Sequence, residues 1–248
     1  MTIRGVIFDL GSTLIEFQGE WNEVMARGAR DQVDFLLARG LQFDGDAFLK
    51  RHRELIMLFI EKGAQDWIEY SSDKALRMAL AEFGYPDLPQ ALVDESLKAL
   101  YAYGETLWQP FPDTYATLDA LRDKGYRLAI ISNARDASNV HRLIDNNRLR
   151  AWFDPILISA EFGVRKPNPR IFKAALDRWR VEPDEALMIG DMLGADVLGA
   201  QNAGMPGVWA TMQADRGAND AHIDTIIPDA KIASLSELLP LLETWLDG

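Results

Sequence analysis

The chain has 248 residues, 48% of them apolar, enough to bury a full core. Its 38 acidic residues outweigh 26 basic ones, and the resulting formal charge of −12 argues against nucleic acid or anionic lipid as a partner. No cysteine is present, so disulfides, thiolate metal sites and cysteine nucleophiles are excluded. No window holds about 18 uninterrupted apolar residues and no leader-like pattern opens the chain, so a cytoplasmic protein with no membrane partner is expected.

Residues 3–10 read as a strand buried on both faces, as in a parallel sheet, and this strand delivers Asp9 onto a turn containing Gly11. From 17 to 108 helical spacing dominates, as in Val24, Ala29, Val33 and Leu36, then Leu55, Ile56 and Phe59, then Leu76, Leu80 and Phe83. Stop signals at Gly40, Gly63, Gly84-Tyr85-Pro86 and Leu88-Pro89 divide this stretch into four to six helices. After Pro110-Phe111-Pro112 strand and helix alternate. Helices are expected at 114–124, 137–146, 169–180, 196–203 and 234–246, with strands at 127–132, 155–159, 186–190 and 207–210 and an edge strand at 225–227. The βαβ repetition predicts an α/β fold with a mostly parallel sheet and helices on both faces. Residues 1–16 and 109–248 would form its core, interrupted by a helical insertion at 17–108.

Ligands of such sheets bind beyond the carboxyl ends of the strands. Those ends carry Asp9, then Ser132-Asn133, then Lys166, then Gly190-Asp191 with Asp196 five residues on. A carboxylate nucleophile, a hydroxyl, an ammonium and two further carboxylates suit phosphoryl transfer, which needs an in-line nucleophile and positive stabilisation of the equatorial oxygens. Mg²⁺ takes one or two carboxylates plus waters and substrate phosphate, so Asp9, Asp191, Asp196 and the carbonyl of Gly11 form the candidate metal set.

Four segments, Phe8-Asp9-Leu10-Gly11-Ser12-Thr13-Leu14, Ile130-Ile131-Ser132-Asn133-Ala134, Gly163-Val164-Arg165-Lys166-Pro167-Asn168-Pro169 and Ile189-Gly190-Asp191-Met192-Leu193-Gly194-Ala195-Asp196, occur in this order over most of the chain. On these the sequence resembles the haloacid dehalogenase-like hydrolase superfamily. The resemblance implies a Rossmann-like core with an α-helical cap inserted after the first strand. It further implies an aspartyl-phosphate on Asp9, Ser132 and Lys166 as the other catalytic residues, and Ser132, Asn133 and Lys166 around the phosphoryl group. Mg²⁺ would be held by Asp9, Gly11, Asp191 and Asp196, and the substrate would be a small phosphate ester turned over by a monomer or homodimer.

The chain departs from that pattern at Gly11, where phosphatases of the superfamily usually carry an aspartate as general acid and base. Such a group contributes roughly 10² to 10⁴ in rate, about 3 to 5 kcal/mol. Asp136, Glu16, Glu20 and Glu23 are the candidates to replace it. The same gap keeps two other readings open. One is a haloacid dehalogenase or phosphonatase, the latter needing an imine-forming lysine such as Lys50, Lys62 or Lys74. The other is a catalytically silent protein that binds phosphate esters. His52, between Arg51 and Arg53, reads as part of an exposed basic turn, Arg165 as a solvated charge, and Trp21 and Trp67 as core or cap packing, an aromatic wall against substrate being the alternative.

Overall fold

The computed structural model describes residues 2–214 and 216–246. β1 (Gly5–Phe8) is buried at all four positions, as the middle strand of a parallel sheet must be. The chain then forms β2 (Ile15–Phe17) and four helices, α1 (Trp21–Ala38), α2 (Gly45–Asp66), α3 (Ser72–Glu82) and α4 (Gln90–Glu105), and returns along β3 (Trp108–Pro110). Alternation follows: α5 (Thr114–Asp123), β4 (Arg127–Ser132), α6 (Ala137–Asn146), β5 (Ile156–Ile158), α7 (Ser159–Phe162), α8 (Pro169–Trp179) and β6 (Ala186–Gly190). The chain closes with α9 (Leu198–Asn202), β7 (Gly207–Ala210), α10 (Arg216–Asn219), β8 (Ala230–Ile232) and α11 (Leu238–Leu246).

The six-stranded sheet runs β5-β4-β1-β6-β7-β8 with every pair parallel. Alternate residues of its strands feed two cores. Val6, Phe8, Ile130 and Ile189 face Leu118, Leu143 and Leu242 of α5, α6 and α11. Ile7, Ile131 and Met188 face Ile171, Phe172 and Leu176 of α8. The four inserted helices hold a third core of their own, with Leu36, Phe48, Leu55, Leu76 and Leu80 fully or almost fully buried. At about 1.5 to 3 kcal/mol for each such side chain, the helical layer is held together by its own apolar contacts. The architecture is the α/β core with an inserted helical cap, and no described helix is long and apolar enough to cross a membrane.

Four details differ from the sequence expectations, each for a local reason. Gly63 does not stop a helix; it lies inside α2, where a side chain would press on the Ile68 carbonyl and on Arg165. Trp67 ends that helix instead, in the left-handed region at φ 57°. The edge strand is β8, not 225–227: the N–H groups of Thr225 and Ile226 both donate to the His222 carbonyl in a turn, which leaves them unavailable to a ladder. The helix expected from Asp196 starts earlier, at Leu193, as a wide π turn running into α9. Finally, β2 and β3 pair antiparallel, Phe17 opposite Trp108, so the two chain crossings between core and cap form one ribbon that the sequence reading did not foresee.

His52 is also a correction. It is 3% exposed, packed beside Phe48 at 5.7 Å between ring centres, because the helical phase that exposes Arg51 and Arg53 turns it inward. Burial first, and the Arg135 charge second, push its pKa down to about 4. The folded chain therefore refuses a proton that the unfolded chain accepts, and stability falls as pH drops below about 6.5. Unfolding in urea should show about 2 kcal/mol lost to this group between about pH 7 and pH 5, and His52→Leu should flatten that part of the pH profile.

Candidate active site

Asp9 leaves the end of β1 with its N–H donating to the Ile189 carbonyl at 2.8 Å, which fixes the carboxylate at the junction between β1 and β6. The strand order reverses around β1, and the crevice of such a sheet opens there. The turn after Asp9 is tight. Ser12 sits at φ 58°, a conformation that costs a non-glycine residue roughly 1 to 3 kcal/mol and must be stabilised by its surroundings; its N–H donates to the Ile15 carbonyl at 2.7 Å.

Lys166 lies at the centre of the charge. Its Nζ is 2.6 Å from Asp9 Oδ1 and 2.7 Å from Asp196 Oδ1, and it donates to the Ile131 carbonyl at 2.7 Å. Asn133 holds the lysine's backbone from both sides, accepting from its N–H at 2.8 Å and donating to its carbonyl at 2.9 Å. The amide of Asn133 thus positions Lys166, whatever else it touches. Ser132, at the end of β4, lines the same cavity as Asp9 and Gly11.

Asp191 and Asp196 approach from the other strand. The π turn brings the Asp196 N–H to the Met192 carbonyl at 2.7 Å, and Asp196 Oδ2 accepts from the Met192 N–H at 2.9 Å. Gly190 is required for this: a methyl there would run into the Asp196 carboxylate. The Asp191 carbonyl is held by Asn219 and Trp209, each donating at 2.9 Å.

Oxygens of Asp9, Asp191 and Asp196 all lie within 4.8 Å of one another. Opposite ligands of an octahedral Mg²⁺ stand about 4.2 Å apart, so the spacing fits such an ion. The donor chemistry fits as well, being all oxygen. Three carboxylates face one ammonium, so negative charge is in excess. Burial, with the Asp9 and Asp196 charges added, pushes Asp191 up to about 8. Burial pushes Asp196 up to about 6 against the opposing pull of Lys166. For Lys166 burial acts downward, but the Asp196 and Asp9 charges outweigh it and the net shift is upward.

The cavity over these groups, about 540 Å³, lies between core and cap. Gly11 is in its wall, and the Trp108 indole covers it: a Cβ at Gly11 would stand 3.1 Å from Trp108 Cη2. Trp108 in turn packs against Phe17 at 5.1 Å and Trp21 at 6.4 Å between ring centres. Trp21, read from sequence as packing or as part of an aromatic wall, is 53% exposed and lines the cavity. Of the four proposed replacement carboxylates, Asp136 alone lines it, and that side chain caps α6 by accepting from the Asn139 N–H at 2.7 Å. Glu16, Glu20 and Glu23 stand outside, since the ribbon and the first turn of α1 carry them away from Asp9. Arg165 is another correction: its side chain is mostly covered and faces Glu69 at 3.8 Å in the cavity wall. Arg135 and Glu69 also line the cavity and were missed from sequence. Only the position of Arg135, three residues beyond Ser132, hinted at it.

The excess negative charge gives a test that needs no substrate. Asp191 and Asp196 keep protons in the folded chain that the unfolded chain releases, so metal-free stability falls as pH climbs from about 4 toward 8. The rise in melting temperature on replacing EDTA with Mg²⁺ should therefore grow between about pH 5.5 and pH 8. Asp9→Asn, which removes one of three like charges, should raise the melting temperature in EDTA and shrink the Mg²⁺ increment.

Comparison with known proteins places the chain in a family. The haloacid dehalogenase-like hydrolase family matches residues 3–204. A glyceraldehyde 3-phosphate phosphatase of Methanothermobacter thermautotrophicus is 30% identical over 252 aligned residues, covering 96% of this chain and all of that one. Among solved structures, a 2-haloacid dehalogenase from Pseudomonas syringae superposes with a TM-score of 0.73 at 28% identity, over 98% of this chain and 100% of that one. A phosphatase of the same superfamily from Thermococcus onnurineus gives 0.64 at 28% identity, over 97% and 98%. With its β1 carboxylate, its Lys166 ion cluster and a family match over more than three quarters of its length, the chain belongs to the haloacid dehalogenase-like hydrolase family.

Proposed function

We propose that this chain is a Mg²⁺-dependent phosphatase that hydrolyses a small phosphorylated metabolite through an aspartyl-phosphate on Asp9. The observation that carries the reading is the gathering of Asp9, Asp191 and Asp196 around one point with Lys166 among them. Asp9, Asp191, Asp196 and the Gly11 carbonyl are the proposed metal ligands, and Ser132, Asn133 and Lys166 the proposed phosphoryl contacts. Mg²⁺, when bound, would neutralise developing charge on the phosphoryl oxygens.

In the first step a carboxylate oxygen of Asp9 attacks phosphorus as the ester P–O bond breaks, and the alcohol leaves as its anion. Lys166 donates to the nucleophile's carboxylate and offsets the negative charge crowded around it. In the second, water attacks the phosphorus of the aspartyl-phosphate, the acyl phosphate bond breaks, and phosphate and free Asp9 are released. Gly11 supplies no proton to the departing alcohol, so leaving groups that are stable as anions, such as anomeric, aryl or acyl ones, should be turned over best.

A second reading, halide displacement from a 2-haloacid, is favoured by Gly11 and by the Pseudomonas syringae structure. It does not need a cation and leaves the clustered carboxylates of Asp191 and Asp196 without a use. The two readings separate on one measurement. Aryl phosphate should be hydrolysed with Mg²⁺, with EDTA or Asp9→Asn reducing the rate at least a hundredfold. Halide release from 2-chloropropionate that persists in EDTA, with no phosphate release, would replace the phosphatase reading.

The indole over Gly11 sets a further expectation. Gly11→Asp alone should raise alkyl phosphate hydrolysis less than about threefold, because Trp108 occupies the space; Gly11→Asp with Trp108→Ala should raise it by about tenfold or more, within the range of general acid catalysis. Initial rates on a matched alkyl and aryl pair measure this.

A further inference from the structure

Arg135 lies in the loop from β4 to α6 and lines the cavity that holds Asp9 and Ser132. Its backbone is fixed from the cap side, where the Ser72 N–H donates to its carbonyl at 2.8 Å. Its charge is not answered. Nε is buried without a hydrogen-bond partner, and among the described residues no carboxylate forms an ion pair with the guanidinium.

Neighbouring groups are otherwise engaged. Arg165 faces Glu69, and Glu69 also accepts from the Ser159 hydroxyl at 2.8 Å. Arg142 binds Glu105 at 2.8 Å, Asp136 caps α6, and Asp9 holds Lys166. The Arg135 charge reaches the groups around it, helping to depress His52. An unpaired, partly desolvated guanidinium is costly, so a chain that keeps one in a cavity with apolar walls at Trp21, Met25, Ile60 and Trp108 has a place for an anion to arrive.

We propose that Arg135 receives a carboxylate on the organic half of the substrate, so that the ester is a small phosphorylated carboxylic acid. A single guanidinium balances one negative charge, and its planar fork matches a carboxylate with two parallel hydrogen bonds, which favours a carboxylate over a second, dianionic phosphate. The proposal rests on the phosphatase reading for the phosphoryl end and assigns the opposite end of the same molecule.

Equilibrium binding with Mg²⁺ present tests this without requiring turnover. Phosphonoacetate, which pairs a phosphonate with a carboxylate, should bind at least tenfold more tightly than ethylphosphonate, which has no carboxylate. Arg135→Gln should bring the two affinities within about twofold of each other, and Arg135→Lys should retain part of the difference. Equal affinities in the unaltered protein overturn the proposal, as does a preference that survives Arg135→Gln. Should Arg135→Gln not fold, Arg135→Lys takes its place: a reduced preference supports the proposal, and an undiminished one overturns it. Failure of the phosphatase reading is seen separately, as aryl phosphate left intact by a protein that still prefers phosphonoacetate.

Discussion

The interaction on which the site depends is the burial of one ammonium among carboxylates. Lys166 touches Asp9 and Asp196 at 2.6 and 2.7 Å and the Ile131 carbonyl at 2.7 Å, with almost none of its side chain exposed. Without that charge, three carboxylates within 4.8 Å of one another, two of them buried, would repel strongly enough to stay protonated or to separate. Even with it, Asp191 and Asp196 are pushed upward. The folded chain therefore carries an unrelieved negative excess, and a hard cation is the species that would relieve it.

The same lysine ties the site to the cap. Its loop is gripped by Asn133 on the core side, while the preceding residue, Arg165, donates its N–H to the Trp67 carbonyl at 2.9 Å. Glu69 N–H reaches the Gly163 carbonyl at 3.2 Å, and Ser72 N–H reaches Arg135. The helical layer is thus attached at two places, by the β2–β3 ribbon and by this seam, with the cavity between them. Any shift of the seam moves the loop that positions Lys166.

Gly11 takes a different meaning in three dimensions. Along the chain it is a missing carboxylate; in the structure its place is covered by the Trp108 indole, itself fixed by pairing across the ribbon and by Phe17. An apolar surface stands where a proton donor would be expected. Beside that surface the cavity's polar lining includes Ser132, Asn133, Glu69, Arg135 and Arg165.

Sequence alone determined the parallel sheet, the inserted helices and the strand-end residues. A buried apolar strand and helical spacing are local signals; Asp9 and Asp191 directly follow such strands, Ser132 ends one, and Lys166 and Asp196 lie in the segments that follow β5 and β6. Tertiary structure decided what depends on contacts distant in sequence. His52 is buried because of α2's orientation, Trp108 covers Gly11 from 97 residues away across the ribbon, and Arg165 faces Glu69 instead of solvent. Arg135 acquires its unanswered charge only when the carboxylates around the cavity are engaged by other partners, and no window of sequence contains that information.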